Sequence, residues 1–269
     1  MNRIEAKFQE LRSKGESAFM PYICAGDPTP EISRDLILTL EKAGADLIEF
    51  GVPFSDPIAD GPTIQKASER ALVHKISLHQ ILSLVRELRR ETQIPIAIMT
   101  YYNPIFRMGD AEFCKAASEA GVDGMIIPDL PPEEAEGLLK IAREYDLATI
   151  FLAAPTSPPQ RLRLISSWST GFVYFVSVTG VTGARDSLSE EIQPMVSQLR
   201  KYTEKPVCVG FGVSTREQAH AVAQIANGVI VGSAIINVIE KHLGDASAIL
   251  SNVGEFAADL AAGVKGNSH

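Results

Sequence analysis

Two carboxylates, Glu49 and Asp60, sit in a pattern that suits acid–base chemistry. Glu49 falls near the end of the hydrophobic run Asp46-Leu-Ile-Glu-Phe-Gly51, and Asp60 follows in the proline-punctuated loop Val52-Pro-Phe-Ser-Asp-Pro-Ile-Ala-Asp-Gly-Pro-Thr63. The run reads as a strand. Side chains alternate across a strand, so Leu47, Glu49 and Gly51 share one face while Ile48 and Phe50 share the other. A strand apolar on both faces belongs inside a parallel sheet, which buries Glu49. An unpaired buried carboxylate is costly, and two readings account for it. One is an acid/base with a shifted pKa, partnered by Asp60 at the mouth of the strand. The other is a structural Glu satisfied by a tyrosine or a backbone N–H.

A second chemical signal lies in the last third of the chain. Val209-Gly-Phe-Gly-Val-Ser214 and Val231-Gly-Ser-Ala234 each end a predicted strand, the second just before a short apolar helix. Glycines let backbone N–H groups approach an anion, and a helix N-terminus adds partial positive charge. Gly212, Gly232 and Ser233 are therefore candidate phosphate contacts, the alternative being tight turns with no ligand. No Walker-type glycine-lysine loop is present, which argues against a nucleoside triphosphate. Between these signals, Val178-Thr-Gly-Val-Thr-Gly-Ala-Arg-Asp-Ser-Leu-Ser189 reads either as a lid or as an ordinary surface loop. Tyr174 shares a strand face with Phe172 and Val176, as barrel core or as pocket wall.

The elements that must position these residues repeat. An apolar strand, a turn and an amphipathic helix recur about eight times, with strands at 19–24, 46–51, 95–100, 123–128, 148–152, 172–177, 206–210 and 228–232. Thr29-Pro30-Glu31, Pro131-Pro132-Glu133-Glu134 and Ser157-Pro158-Pro159 mark helix starts, where proline and acidic residues suit the first turn. Ser214-Thr-Arg-Glu217 reads as a capping box with Ser214 as the cap. Gly44, Gly121 and Gly171 mark helix ends. Residues 2–13 form an extra helix before the first strand, and helical material at 64–72 precedes the helix at 77–92. The repeat predicts a (β/α)8 barrel, an α/β fold typically of about 250 residues. An open doubly wound sheet is the rival, but no Gly-x-Gly-x-x-Gly opens the first unit. Residues 1–269 read as one barrel domain, with a flexible tail at about 264–269. Barrel active sites lie at the C-terminal ends of the strands, which places Glu49, Tyr102, Asp129, the 178–190 segment, Gly212 and Ser233 on one face.

Composition narrows the partners. The chain has 269 residues and a formal net charge of −8, which disfavours a nucleic-acid scaffold. Its apolar runs are too short for a membrane span, and its charged, amphipathic start lacks the pattern of a signal peptide. Cys24, Cys114 and Cys208 show no framework spacing and read as reduced, packed thiols of a cytoplasmic protein. The five histidines show no metal-ligand spacing, so no metal site is expected.

The stretch Glu49-Phe-Gly-Val-Pro-Phe-Ser-Asp-Pro-Ile-Ala-Asp-Gly-Pro-Thr-Ile64 closely resembles the signature of the tryptophan synthase α subunit family. The likeness extends in order through Gly26-Asp27-Pro28, Tyr101-Tyr-Asn-Pro104, Asp129-Leu-Pro131, Gly180-Val-Thr-Gly183, Gly210-Phe-Gly212 and Gly232-Ser-Ala234. The resemblance implies a lyase that cleaves 1-C-(indol-3-yl)glycerol 3-phosphate to indole and D-glyceraldehyde 3-phosphate in tryptophan biosynthesis. It implies that Glu49 is the principal acid/base and that Asp60 holds the indole N–H and stabilises the indolenine cation. It further implies that Tyr22, Ile64, Thr100, Ile127, Tyr174 and Phe211 line the indole pocket. Thr182 matches the closing loop, and Gly183, Gly212, Gly232 and Ser233 match phosphate contacts. The family's α chain needs no cofactor of its own. Pyridoxal phosphate belongs to the β subunit, expected as partner in an α2β2 complex, with the 52–60 loop and Tyr102-Asn-Pro104 facing it. Apolar Pro53, Phe54 and Pro57 then supply either an interface core or a loop packed on its own barrel. Other phosphosugar barrels, a catalytically silent scaffold and a stand-alone indole-releasing lyase are the competing readings. A phosphosugar barrel leaves the 49–64 motif unexplained, and a silent scaffold leaves both carboxylates unexplained.

Overall fold

The computed structural model describes residues 1–176 and 185–266, the side chains of 185–191 excepted. Helix α1 (Arg3–Lys14) precedes β1 (Ala18–Cys24) and α2 (Pro30–Lys42). Strand β2 (Ile48–Gly51) leads through the Asp60 loop to α3 (Pro62–Leu72) and α4 (Leu78–Leu88). Then follow β3 (Ile96–Met99), α5 (Tyr102–Met108), α6 (Asp110–Ala120), β4 (Gly124–Ile126) and α7 (Glu136–Glu144). The next segment is divided into β5 (Ala148–Ile150) and β6 (Leu152–Ala153), and α8 (Pro159–Trp168), β7 (Val173–Val176) and α9 (Arg185–Leu199) come after it. The chain closes with β8 (Val207–Gly210), α10 (Arg216–Ala223), β9 (Gly228–Val231), α11 (Ser233–Lys241) and α12 (Ala246–Lys265).

All strand pairs are parallel, in the order β5-β4-β3-β2-β1-β9-β8-β7-β6. Because β5 and β6 are one stretch of chain, this order is a ring. The barrel therefore closes across Phe151. There the expected fifth strand, 148–152, is interrupted: the Phe151 N–H donates to Ser169 Oγ at 3.2 Å, while its carbonyl accepts from the Tyr174 N–H. A side chain replaces one ladder bond, which splits the strand without opening the ring.

The core has two layers. Inside the barrel, Met20, Leu47, Ala97, Ile126, Ile150, Phe172, Tyr174, Cys208 and Ile230 pack together, and Ile4, Phe8 and Leu11 of α1 fill the N-terminal mouth beneath them. Phe8 and Phe172 meet at 5.7 Å between ring centroids. Outside the barrel, the alternate strand residues, such as Ile48 and Phe50, pack against the helices. The alternation read from the sequence thus sends Glu49 inward. Helix ends follow local chemistry. Thr29 caps α2 by accepting from the Ile32 N–H, and Gly44, Gly121 and Gly171 take the positive φ expected of them. One cap differs from expectation. Thr215, not Ser214, caps α10, and Gln218, one residue beyond Glu217, reaches back to the Ser214 N–H at 2.9 Å. The full capping box lies instead at Ser77 and Gln80, at the start of α4. Cys24, Cys114 and Cys208 are buried free thiols.

Candidate active site

Glu49 is the second residue of β2, in register with Tyr22 of β1 and Ala97 of β3. Its side chain is fully buried, and neither carboxylate oxygen has a hydrogen-bond partner among the described residues. No tyrosine or backbone N–H among the described residues satisfies it, as the structural reading would require. Burial alone pushes its carboxyl from the ordinary 4.5 up to about 8. The group is thus mostly protonated at neutral pH, a proton donor held in an apolar place.

Asp60 occupies a wetter position. It is half-buried, and burial raises its carboxyl from 3.8 to about 6, opposed by the Tyr101 hydroxyl beside it. At neutral pH it is mostly ionised. The loop that carries it is pinned to the barrel at several points. Val52 N–H donates to the Met99 carbonyl at 2.8 Å, Ala59 N–H donates to Tyr101 Oη at 2.9 Å, and Phe54 stacks on the Tyr101 ring at 5.1 Å. From the helical side, the Gln65 amide donates to the Asp60 carbonyl at 2.8 Å.

Two tyrosines flank Glu49. Tyr22 and Tyr174 are both buried, and desolvation raises both hydroxyls well above the usual range, with Glu49 and Asp60 adding to the effect. Each ring lies over a glycine. A Cβ on Gly51 would stand 2.2 Å from Tyr22 Oη, and one on Gly210 would stand 2.9 Å from Tyr174 Oη. These glycines leave room for rings rather than making turns. Thr100 and Ile127 are buried at the ends of β3 and β4, and Ile64 is half-buried in the first turn of α3. Phe211 is buried just beyond β8 and stacks on Phe175 at 5.9 Å, so its ring is engaged by the outer core layer.

Further round the same mouth, beyond β1, Gly212 takes φ +63°, and a Cβ there would meet nothing within 4 Å. Gly232 is the N-cap of α11, and no side chain caps that helix. Ser233, its first residue, is exposed. Open space beside Gly212 and an uncapped helix start suit an anion. Thr182, Gly183 and most of the 178–190 segment lie outside the described residues. A cleft of about 760 Å³ lies at the opposite mouth beside α1 and includes none of these residues.

A family profile described as the tryptophan synthase alpha chain matches residues 8–265. A tryptophan synthase alpha chain from Geotalea uraniireducens is 49% identical over 265 residues, covering 98% of each chain. One from Methanocaldococcus jannaschii is 46% identical, over 90% of this chain and 86% of its own. Among solved structures, tryptophan synthase subunit alpha from Legionella pneumophila superposes with a TM-score of 0.90 at 38% identity, covering 99% of each chain. The chain belongs to the tryptophan synthase alpha family. It is accordingly a lyase of tryptophan biosynthesis, converting indole-3-glycerol phosphate to indole and glyceraldehyde 3-phosphate.

Against that identification, the structure adds one residue that sequence reasoning left out of the site and redistributes another group. Tyr101 joins the site as the residue that holds the Asp60 loop; an aromatic next to Thr100 at the end of β3 was the available signal. Pro53 is buried and Phe54 packs on Tyr101, so this part of the loop packs on its own barrel. Among the described residues, the large apolar groups exposed on the catalytic face are Ile58, at 85% exposure, and Phe106 of α5, at 69%. Asp129 braces the same rim by accepting from the Tyr102 N–H at 2.8 Å.

Proposed function

We propose that Glu49 and Asp60 divide the cleavage between them. Glu49, protonated in its apolar seat, delivers its proton to indole C3 and generates the indolenine cation. Asp60, ionised, accepts the indole N–H and stabilises the positive charge. The Glu49 carboxylate so formed then takes the proton of the side-chain hydroxyl as the carbon–carbon bond breaks. The electron pair of that bond returns to the indole ring, the former hydroxyl carbon becomes the aldehyde, and Glu49 is again protonated. The observation that carries this reading is the fully buried, unpartnered carboxyl at the end of a barrel strand. An acid near neutrality and an ionised neighbour are the two states the reaction needs.

Tyr22, Ile64, Thr100, Ile127, Tyr174 and Phe211 form the indole pocket in this reading, with Gly212, Gly232 and Ser233 as the phosphate cradle. Thr182 and Gly183 are assigned to loop closure and phosphate contact by family resemblance. The chain carries no cofactor of its own in this scheme; pyridoxal phosphate resides on the β subunit. That subunit docks on the catalytic face around Ile58 and Phe106, in an α2β2 assembly in the cytoplasm. No helix among the described residues is long and apolar enough to cross a membrane.

The test is direct. Purified chain is incubated with indole-3-glycerol phosphate, and indole release is followed with and without the β subunit. Weak release alone and strong activation by the partner is the expected result. No release under either condition overturns the proposal, and full activity without the partner removes the β subunit from it.

A further inference from the structure

The turn after β1 holds a buried ion pair that the proposed chemistry does not use. The Asp27 side chain is 0% exposed and receives both prongs of Arg70, Nε to Oδ1 at 2.7 Å and Nη2 to Oδ2 at 2.9 Å. The remaining terminal nitrogen, Nη1, lies 3.8 Å from Glu240 Oε1, which Lys66 also approaches at 3.4 Å. Arg70 is in the last turn of α3. The first turn of that helix carries Ile64 and Gln65, and Gln65 holds the carbonyl of Asp60. Glu240 is near the end of α11, the helix that starts at Gly232 and Ser233. One guanidinium therefore touches the far ends of two helices whose near ends face opposite ends of the substrate.

We propose that Arg70 is a positioning residue: by clamping α3 and α11 to the Asp27 turn, it sets the distance between Asp60 and the phosphate cradle. The proposal rests on the reading of Asp60 and Gly232 given above. A buried ion pair is a poor source of stability compared with an apolar pair of similar volume. Its value is geometric, because the planar fork of arginine fixes two bonds in one orientation. A helix is a stiff rod, so a tilt at its last turn is passed to its first. Misplacement of a catalytic group by about 1 Å costs roughly 100-fold in rate. Lysine at position 70 would keep the charge opposite Asp27 but lose the fork.

The experiment compares Arg70→Lys with Arg89→Lys. Arg89 makes a buried pair with Asp123 through one nitrogen, Nη2 to Oδ2 at 2.8 Å, its other nitrogens donating to backbone carbonyls, at the N-terminal end of β4 and away from the catalytic mouth. Both variants should lose thermal stability. Only Arg70→Lys should lose kcat, on the order of 10- to 100-fold, at temperatures where both are folded. A kcat for Arg70→Lys within about twofold of wild type, or an equal loss in Arg89→Lys, overturns the proposal. Should Arg70→Lys fail to fold, Glu240→Gln decides. Glu240 is 34% exposed, and removing its charge leaves the Asp27–Arg70 pair intact. That variant should melt like wild type and bind glycerol 3-phosphate at least about threefold more weakly, a small coupling of the kind two linked sites show. Unchanged affinity overturns the clamp. If wild-type chain releases no indole from indole-3-glycerol phosphate, the functional reading has failed; an active wild type matched by its variants means that only the clamp has failed.

Discussion

Replacing Glu49 with glutamine should abolish catalysis and, at alkaline pH, stabilise the fold. The carboxyl ordinarily titrates at 4.5, and in the folded chain burial holds it at about 8. At about 1.36 kcal/mol per pKa step, ionising Glu49 inside the barrel costs about 5 kcal/mol more than in the unfolded chain. The sign follows from proton binding. Between these two values the unfolded chain has released the proton and the folded chain retains it, so stability falls as pH rises and levels off above about 8. Glutamine has nearly the same shape as the protonated acid and likewise leaves buried polar atoms unpaired, but it has no proton to lose. At pH 5 the two proteins should therefore unfold within about 1 kcal/mol of each other, and by pH 9 the variant should lead by about 4–5 kcal/mol. Thermal melts of wild type and variant, recorded together from pH 5 to 9, isolate this one group because all other titrations cancel in the difference. For a chain of this size the lead at pH 9 corresponds to a shift on the order of 10 °C. The same samples should release no detectable indole from the variant at any pH. Parallel melting curves across the range would refute the reasoning, since they would mean that Glu49 ionises in the folded chain as easily as in the unfolded one.

Four further outcomes are expected. The rate of wild-type cleavage at limiting substrate should be bell-shaped in pH, with an acid limb near 6 as Asp60 loses its charge and a basic limb near 8 as Glu49 loses its proton; Asp60→Asn should lose most of the activity, and retained turnover would leave Asp60 as a loop-shaping residue. Gly232→Ala should raise KM without lowering the melting temperature, because the new Cβ meets Tyr22 only at an ordinary 3.5 Å while narrowing the amide cradle; an unchanged KM would count against the phosphate assignment. Gly51→Ala should impair catalysis by displacing the Tyr22 ring, and adding Tyr22→Ala should recover stability, as a differential melt of the single and double variants would show.

What could be read from the chain beforehand follows a physical line. The period-two pattern of residues 46–51 was enough to bury Glu49 and to choose its face, because burial on both sides of a strand leaves a local imprint. The absence of a partner for its oxygens among the described residues was not legible, since it depends on what the other strands bring inward. The same limit explains Phe151: its neighbours read as one strand, and the interruption comes from Ser169 on a different segment. Capping chemistry was visible at residues 214–217, but Ser and Thr in succession are equivalent as sequence, and only backbone geometry selects Thr215 with Gln218. Asp27 and Arg70 are far apart in the chain, and no spacing rule joins them. Asp27 entered the sequence reading only as part of a family motif.

The packed interior of the barrel, with Ile4, Phe8 and Leu11 beneath it, makes the barrel a cup. A cup has a single opening, so an apolar product made on its floor must leave by the route its precursor used to enter. Whatever covers that rim then governs traffic in both directions without touching a reacting atom. A subunit seated over Ile58 and Phe106 would act as a valve, and the yield of free indole would report how well the two rims fit rather than how fast the bond breaks.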